Sequence, residues 1–113
     1  MQPAASYRAA GSASEAEAWD SVRQRDFVER GLRDPATQEF RPVTAIGGVG
    51  KHTEARLAEL GFPYAYQLIG QYMVNSLDDE ATAHWLETEV RVLRKDLRRT
   101  IVRSLAMWCD RHL

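Results

Sequence analysis

The stretch Ile46-Gly47-Gly48-Val49-Gly50-Lys51-His52-Thr53-Glu54-Ala55-Arg56-Leu57 decides how this chain is read. Gly48 and Gly50 flank one apolar residue, Ala55 follows the second glycine by five positions, and Leu57 comes two further on. The two glycines let the backbone turn tightly and come close to another surface with no Cβ in the way. Val49 is placed to plug into a core and hold the turn, and Ala55 is small enough for two short helices to pack closely. The helix that follows begins with backbone N–H groups that have no acceptor within the helix, which suits a phosphate oxygen. Lys51 and Arg56 add cationic reach. None of these groups reads a base edge, so the ligand they suit is a phosphate backbone of any sequence.

This spacing is the hairpin of a helix-hairpin-helix DNA-binding unit over residues 43–60; an ordinary glycine-rich turn before a helix is the alternative. A P-loop is excluded, because Gly50-Lys51 is followed by His52 and the position five before Gly50 is Ala45. A dinucleotide fingerprint fails for want of a third glycine and a preceding strand. Hairpins of this kind can hold a monovalent cation through backbone carbonyls, but these residues carry no further sign of one. No metal or cofactor is expected.

At 113 residues and 44% apolar content the chain suits one domain with a small core, which oligomerisation would help. A net charge of −1 argues against a simple polycation. The charge is segregated, however. Residues 78–89 carry Asp78, Asp79, Glu80, Glu87 and Glu89 with no Lys or Arg, and residues 91–103 carry Arg91, Arg94, Lys95, Arg98, Arg99 and Arg103 against Asp96 alone. Local sign governs steering more than the total does, although a basic run is often only a solvated helix face. One cysteine, Cys109, excludes an internal disulfide and suits a reducing compartment. No apolar run approaches membrane-spanning length. Residues 1–14, Ala- and Ser-rich with Arg8 as their only charge besides Met1, are expected to form a disordered tail before a domain over residues 15–113.

Helix formers dominate and no segment alternates with period two, so the fold class is all-α. The first helix is expected to start after Ser14, with Glu17 completing a capping box, and to end near Gly31. Trp19, Val22 and Phe27 would supply its apolar contacts. Residues 32–42, with Pro35 and Pro42, read as a loop. Residues 43–46 and 51–60 form the two hairpin helices, with Gly61 as a C-terminal stop. Pro63 suits the first turn of the next helix, where Ala65, Leu68, Ile69, Tyr72 and Met73 follow helical spacing. Gly70 inside that helix costs roughly 1 kcal/mol relative to Ala, which either close approach by another helix or simple tolerance would explain. Asp78 can cap a helix that buries Trp85 and Leu86. Leu97, Ile101, Leu105 and Trp108 form an amphipathic stripe near the end.

From Arg25 to Leu113 the chain resembles the barrier-to-autointegration factor family of small chromatin proteins. The resemblance rests on Arg25-Asp26-Phe27-Val28, Gly61-Phe62, Ala65-Tyr66, Gly70-Gln71, Trp85-Leu86 and the ending Trp108-Cys109-Asp110 with Leu113. It implies a compact five-helix homodimer in which each subunit binds double-stranded DNA without sequence preference, so that one dimer bridges two duplexes. It also implies LEM-domain proteins of the inner nuclear membrane, lamin and histones as partners, no direct membrane insertion, and residence in the nucleus and cytoplasm. Carried over, the phosphate-contacting set is Arg23, Gly48, Gly50 and Arg56, to which the reading of the turn itself adds Val49 and Lys51. The family has Lys where Arg23 and Arg56 stand, so charge is kept. Gly70, Val74 and Ala81 fall on the dimer and partner interface, and Ser21 on a serine whose phosphorylation releases DNA. If the first helix starts at Ser14, however, Ser21 lies mid-helix.

The chain departs from the family in three places. The loop after Val28 is longer, and the segment before Ser21 is an addition. The family breaks its chain before the last helix with a Cys-Gly pair and uses that helix start for a second phosphate contact. Here the stretch is Val90-Arg91-Val92-Leu93-Arg94-Lys95, which either breaks more tightly or runs on as one helix; Arg94 and Lys95 are the candidates for that contact. Ala81 replaces a family Leu at a LEM-contact position. The competing reading is therefore a diverged dimeric adaptor with weak or no DNA binding. An enzyme is not expected: His52, His84 and His112 form no ligand pattern with Cys109, no nucleophile–base pair is evident, and His112 beside the C-terminus is read as solvated.

Overall fold

In the computed structural model the backbone is described over residues 15–113 and the side chains from residue 22 onward. The expected tail, the Ser14 cap and the side chains of Trp19 and Ser21 lie outside the described residues. Five helices follow one another: α1 (Glu15–Arg30), α2 (Lys51–Glu59), α3 (Ala65–Val74), α4 (Asp79–Trp85) and α5 (Lys95–His112). A 3-10 turn, Val43–Ala45, precedes α2, and α4 runs into a π-turn, Leu86–Val90. The all-helical expectation and the helix boundaries agree with this closely. Gly31 and Gly61, at φ +82° and +94°, end α1 and α2 in the left-handed conformation that glycine adopts without steric cost.

Phe27, Ile46, Leu57, Leu68, Leu86, Ile101 and Leu105 are fully buried at the centre. The amphipathic α5 packs against α1, α3 and α4. Gln24 of α1 donates to Ser104 Oγ at 3.1 Å and to Thr100 O at 3.4 Å, linking α1 to α5 through a buried hydroxyl. Asp26 accepts from Arg30 and Arg41, each at 2.7 Å, and so ties α1 to the strap that leads into the 3-10 turn.

Several side chains lie away from their expected places. Val22 is 54% exposed, because five residues of helix turn it about 140° away from buried Phe27. Ala55 is exposed and packs no helix pair; Thr53 and Leu57, four residues apart on one face of α2, make the inward contacts. Pro63 precedes α3 and is not in its first turn. Tyr64 is the N-cap, its N–H donating to the Gln67 side chain at 2.9 Å, and Pro63 O instead accepts from Val43 N. Met73 is 43% exposed, off the face formed by Ala65, Leu68, Ile69 and Tyr72. Asp78 caps α4 as expected, accepting from Ala81 N at 2.8 Å. Leu86 is fully buried, whereas Trp85 is half-buried, edge-on to Phe62.

The loop over residues 32–42 is an ordered excursion. Asp34 Oδ1 accepts from Ala36 N and Thr37 N, and these bonds hold its carboxyl below the usual range. Arg33 and Phe40 pair as an isolated bridge, with the Arg33 guanidinium 4.1 Å from the centre of the Phe40 ring. Phe40, Tyr64 and Tyr66 form a partly exposed aromatic cluster beside it.

The chain breaks between α4 and α5 without glycine or proline. Arg91 takes φ +66°, ψ +35°, a left-handed conformation that costs a non-glycine residue roughly 1–2 kcal/mol. Val90 and Val92 are buried on either side of it and hold it there. The Arg98 guanidinium then caps the linker, donating to Val92 O at 2.8 Å and Leu93 O at 2.9 Å.

Gly48, at φ +93°, sits in close contact with α5. A Cβ there would lie 2.8 Å from Ile101 Cγ1 and 3.1 Å from the carbonyl oxygen of Leu97. Gly50 meets nothing within 4 Å and has an ordinary extended backbone. Gly48→Ala is therefore expected to lower the unfolding free energy by about 1–3 kcal/mol through overpacking and backbone strain. Gly50→Ser should leave it unchanged or raise it, since serine is a preferred N-cap. Urea unfolding of the two variants beside wild type measures the difference.

Candidate nucleic-acid interface

The glycine turn presents the start of α2 to solvent while its other side is held by the core. Val49 is fully buried and its N–H donates to Ile46 O at 3.1 Å, so this residue anchors the turn and its amide is already engaged. Gly48 is likewise buried against α5. Gly50 is exposed and is the N-cap of α2 with no side chain to occupy that position. The first amides of α2 lack intrahelical acceptors by the geometry of a helix start, and the dipole there favours an anion. Lys51 and His52 are exposed beside them. Of the hairpin residues, then, Gly50 and Lys51 form the accessible edge, and Gly48 and Val49 are its support.

Arg23 lies behind this edge. Its Nη2 donates to Ile46 O at 2.7 Å and to Val49 O at 2.9 Å, joining α1 to both sides of the turn. Arg56 is partly exposed, donates from Nε to Glu89 O at 3.2 Å and lies 3.7 Å from Glu59. Both guanidiniums thus stabilise backbone carbonyls, a use that residue type and spacing do not reveal.

A second helix start lies at Lys95. The left-handed Arg91 resolves the sequence alternatives in favour of a break, so α5 has its own N-terminus, with Arg94 as an N-cap that makes no side-chain capping bond. Lys95 is exposed. Arg94 pairs with Asp96 at 2.6 Å, and this contact holds the Asp96 carboxyl below the usual range. Asp96 therefore places a carboxylate in the first turn of α5. The two charge runs also meet in space: Asp79 and Glu80 of α4 line the same surface groove as Lys95, Arg98, Arg99 and Arg103 of α5.

The residues expected at a dimer or partner interface lie at the α3–α4 end. Val74 is 76% exposed and Ala81 is exposed, with Met73 and Leu77 as further exposed apolar side chains. Gly70 is half-buried, and a Cβ there would meet nothing within 4 Å among the described residues, so no described helix of the same chain requires a glycine at that point. Ser21 lies within the backbone span of α1 and its side chain is outside the described residues. His112 is exposed as expected, and its ring also makes contacts: Nε2 donates to Val28 O at 2.7 Å and the ring packs on Trp108. Burial raises the Cys109 thiol pKa. Among the described residues no helix is long and apolar enough to cross a membrane, and no cluster of His, Cys, Asp and Glu is placed to hold a metal ion.

Comparison with known sequences places the chain in a family. The sequence model of the family described as "Barrier to autointegration factor" matches residues 19–112. The barrier-to-autointegration factor of Mus musculus is 31% identical over 93 residues, spanning 82% of this chain and 97% of its own. Barrier-to-autointegration factor 1 of Caenorhabditis elegans and the Homo sapiens protein are each 30% identical over 93 residues, again 82% of this chain and 97% of theirs. A matched stretch that takes in α1 nearly from its start and runs to the penultimate residue leaves one conclusion: the chain belongs to the barrier-to-autointegration factor family.

Proposed function

We propose that this chain is a non-enzymatic, sequence-independent double-stranded DNA-binding protein that acts as a homodimer and bridges two duplexes. The observation that carries the reading is the exposed start of α2, led by Gly50 and flanked by Lys51, on a turn that Gly48 and Val49 lock into the core. In this reading residues 43–60 act as a helix-hairpin-helix. The amides around Gly50 and Lys51 receive a phosphate, and Arg23 and Arg56 supply positive charge from behind. The start of α5, with Arg94 and Lys95, provides a second phosphate contact weakened by Asp96. Val74, Gly70 and Ala81 lie in the subunit interface, whose groove receives LEM-domain proteins and so links chromatin to the nuclear envelope; lamin and histones are further partners. A nuclear and cytoplasmic location follows. The Arg94–Asp96 pair specifically favours the second reading, a dimeric adaptor whose DNA binding has weakened.

Fluorescence anisotropy of a short duplex of arbitrary sequence, titrated at two salt concentrations, tests the first reading. Binding should fall steeply with salt as released counterions cease to drive it. Gly50→Asp is the informative variant. Aspartate is a preferred N-cap, so the fold should be kept or stabilised, while a carboxylate at the phosphate position should reduce affinity at least about tenfold, the effect of 1.4 kcal/mol. Gly48→Glu should lose both stability and binding. A folded Gly50→Asp protein with wild-type affinity would place the site elsewhere.

Asp96→Asn should tighten DNA binding by a few-fold, because it removes an anion from the second helix start and releases Arg94. Unchanged affinity would remove α5 from the interface. Val74→Arg should convert the dimer to monomer in sedimentation velocity and abolish bridging of two labelled duplexes, while binding to one duplex persists.

A further inference from the structure

A single guanidinium nitrogen is shared by two backbone carbonyls of the glycine turn. Arg23 Nη2 lies 2.7 Å from Ile46 O and 2.9 Å from Val49 O. These oxygens belong to residues three apart, and their side chains are both fully buried, so neither carbonyl can swing away without pulling Ile46 or Val49 out of the core. Gly48 between them is fixed by its approach to Ile101. The two oxygens are therefore held in a converging pair by packing elsewhere, and converging carbonyl dipoles repel each other unless a positive charge lies between them. Carbonyl oxygens held in this way are of the kind that ligate a hard cation, and Ile46 O also accepts from Val49 N at 3.1 Å. Here the charge comes from the chain itself and, on a guanidinium, is permanent.

We propose that Arg23 is the resident cation of the hairpin. Its guanidinium takes the place between Ile46 O and Val49 O that a monovalent metal ion would otherwise fill. A hairpin with its own cation does not fit an inorganic ion at these carbonyls, and the turn keeps its shape whatever ions surround it. Arg23 is then a positioning residue for the phosphate edge. It acts through the turn and needs no direct contact with DNA. The reasoning uses the hairpin geometry alone, although its value to the protein rests on the proposed DNA-binding role.

The test separates the two. Thermal unfolding of the DNA-free protein is compared in potassium chloride and in tetramethylammonium chloride, each at about 150 mM to equalise screening. Wild type should melt at the same temperature in both, since its site is filled. Arg23→Ala leaves the carbonyl pair open. It should melt lower than wild type in tetramethylammonium and recover selectively in potassium, by roughly 4 °C or more if the ion binds ten times above its dissociation constant. Should Arg23→Ala be unfolded in both salts, the comparison is made on Arg23→Met, which keeps the aliphatic stem and removes the charge and the donors. Potassium-selective stabilisation of either variant supports the proposal. Its absence in the variant that folds, in Arg23→Met if Arg23→Ala does not, or from both because neither folds, overturns it, as would potassium-selective stabilisation of wild type. Duplex anisotropy in the same salts is a separate readout. A potassium-selective gain in the variant's stability, together with no DNA affinity in wild type, would reject the DNA-binding reading and leave the resident cation in place, and wild-type DNA affinity without ion selectivity in the variant would do the reverse.

Discussion

The approach of Gly48 to α5 is the contact on which the candidate site depends. A turn that exposes a helix start to solvent has few apolar atoms of its own, so something outside it must hold its shape. Here Ile101 and the Leu97 carbonyl press against the Cα of Gly48, Val49 inserts beside them, and the next residue emerges at the surface as the cap of α2. Rigidity on the buried side and exposed amides on the other are two consequences of one packing arrangement. Preorganised donors of this kind lose little freedom when an anion arrives.

That contact exists only if α5 begins where it does. Had α4 and α5 run on as one helix, Ile101 would point elsewhere and the hairpin would lose its floor. The break comes from a left-handed Arg91 between two buried valines, and it is sealed by Arg98 bonded to the linker carbonyls. Burial of two side chains outweighs the strain of one backbone residue, a trade that glycine would have made unnecessary.

Guanidiniums recur as backbone caps throughout the domain. Arg23 serves the hairpin, Arg56 the end of the π-turn, Arg98 the linker and Arg41 the end of α1, where it donates to Gly31 O at 3.3 Å. Each joins elements distant in sequence or seals an irregular segment where regular hydrogen bonding stops. A chain with near-zero net charge can thus hold many arginines without presenting a strongly basic surface. Charge counted along the sequence overstates what is offered to a polyanion: part of it is spent on carbonyls, part pairs with Asp96, and part shares a groove with Asp79 and Glu80.

The amino-acid sequence by itself determined the helical class, the ends of α1 and α2 at Gly31 and Gly61, the Asp78 cap, the α5 stripe and the position of the hairpin. All of these follow from local rules, such as glycine's access to positive φ, a carboxylate next to free amides and a period of 3.6 residues, and these rules act within a few positions. Family resemblance extended the reading to a candidate interface. Only the tertiary structure decided which hairpin residues face outward, because the division between Gly48 inside and Gly50 outside depends on Ile101, some fifty residues away. It decided likewise that Ala55 and Val22 are exposed, that Arg23 serves the turn, that His112 bonds to Val28 O, and that Arg91 breaks the chain. Each outcome is a competition between burial, strain and carbonyl capping among residues distant in sequence, and spacing along the chain carries no record of it.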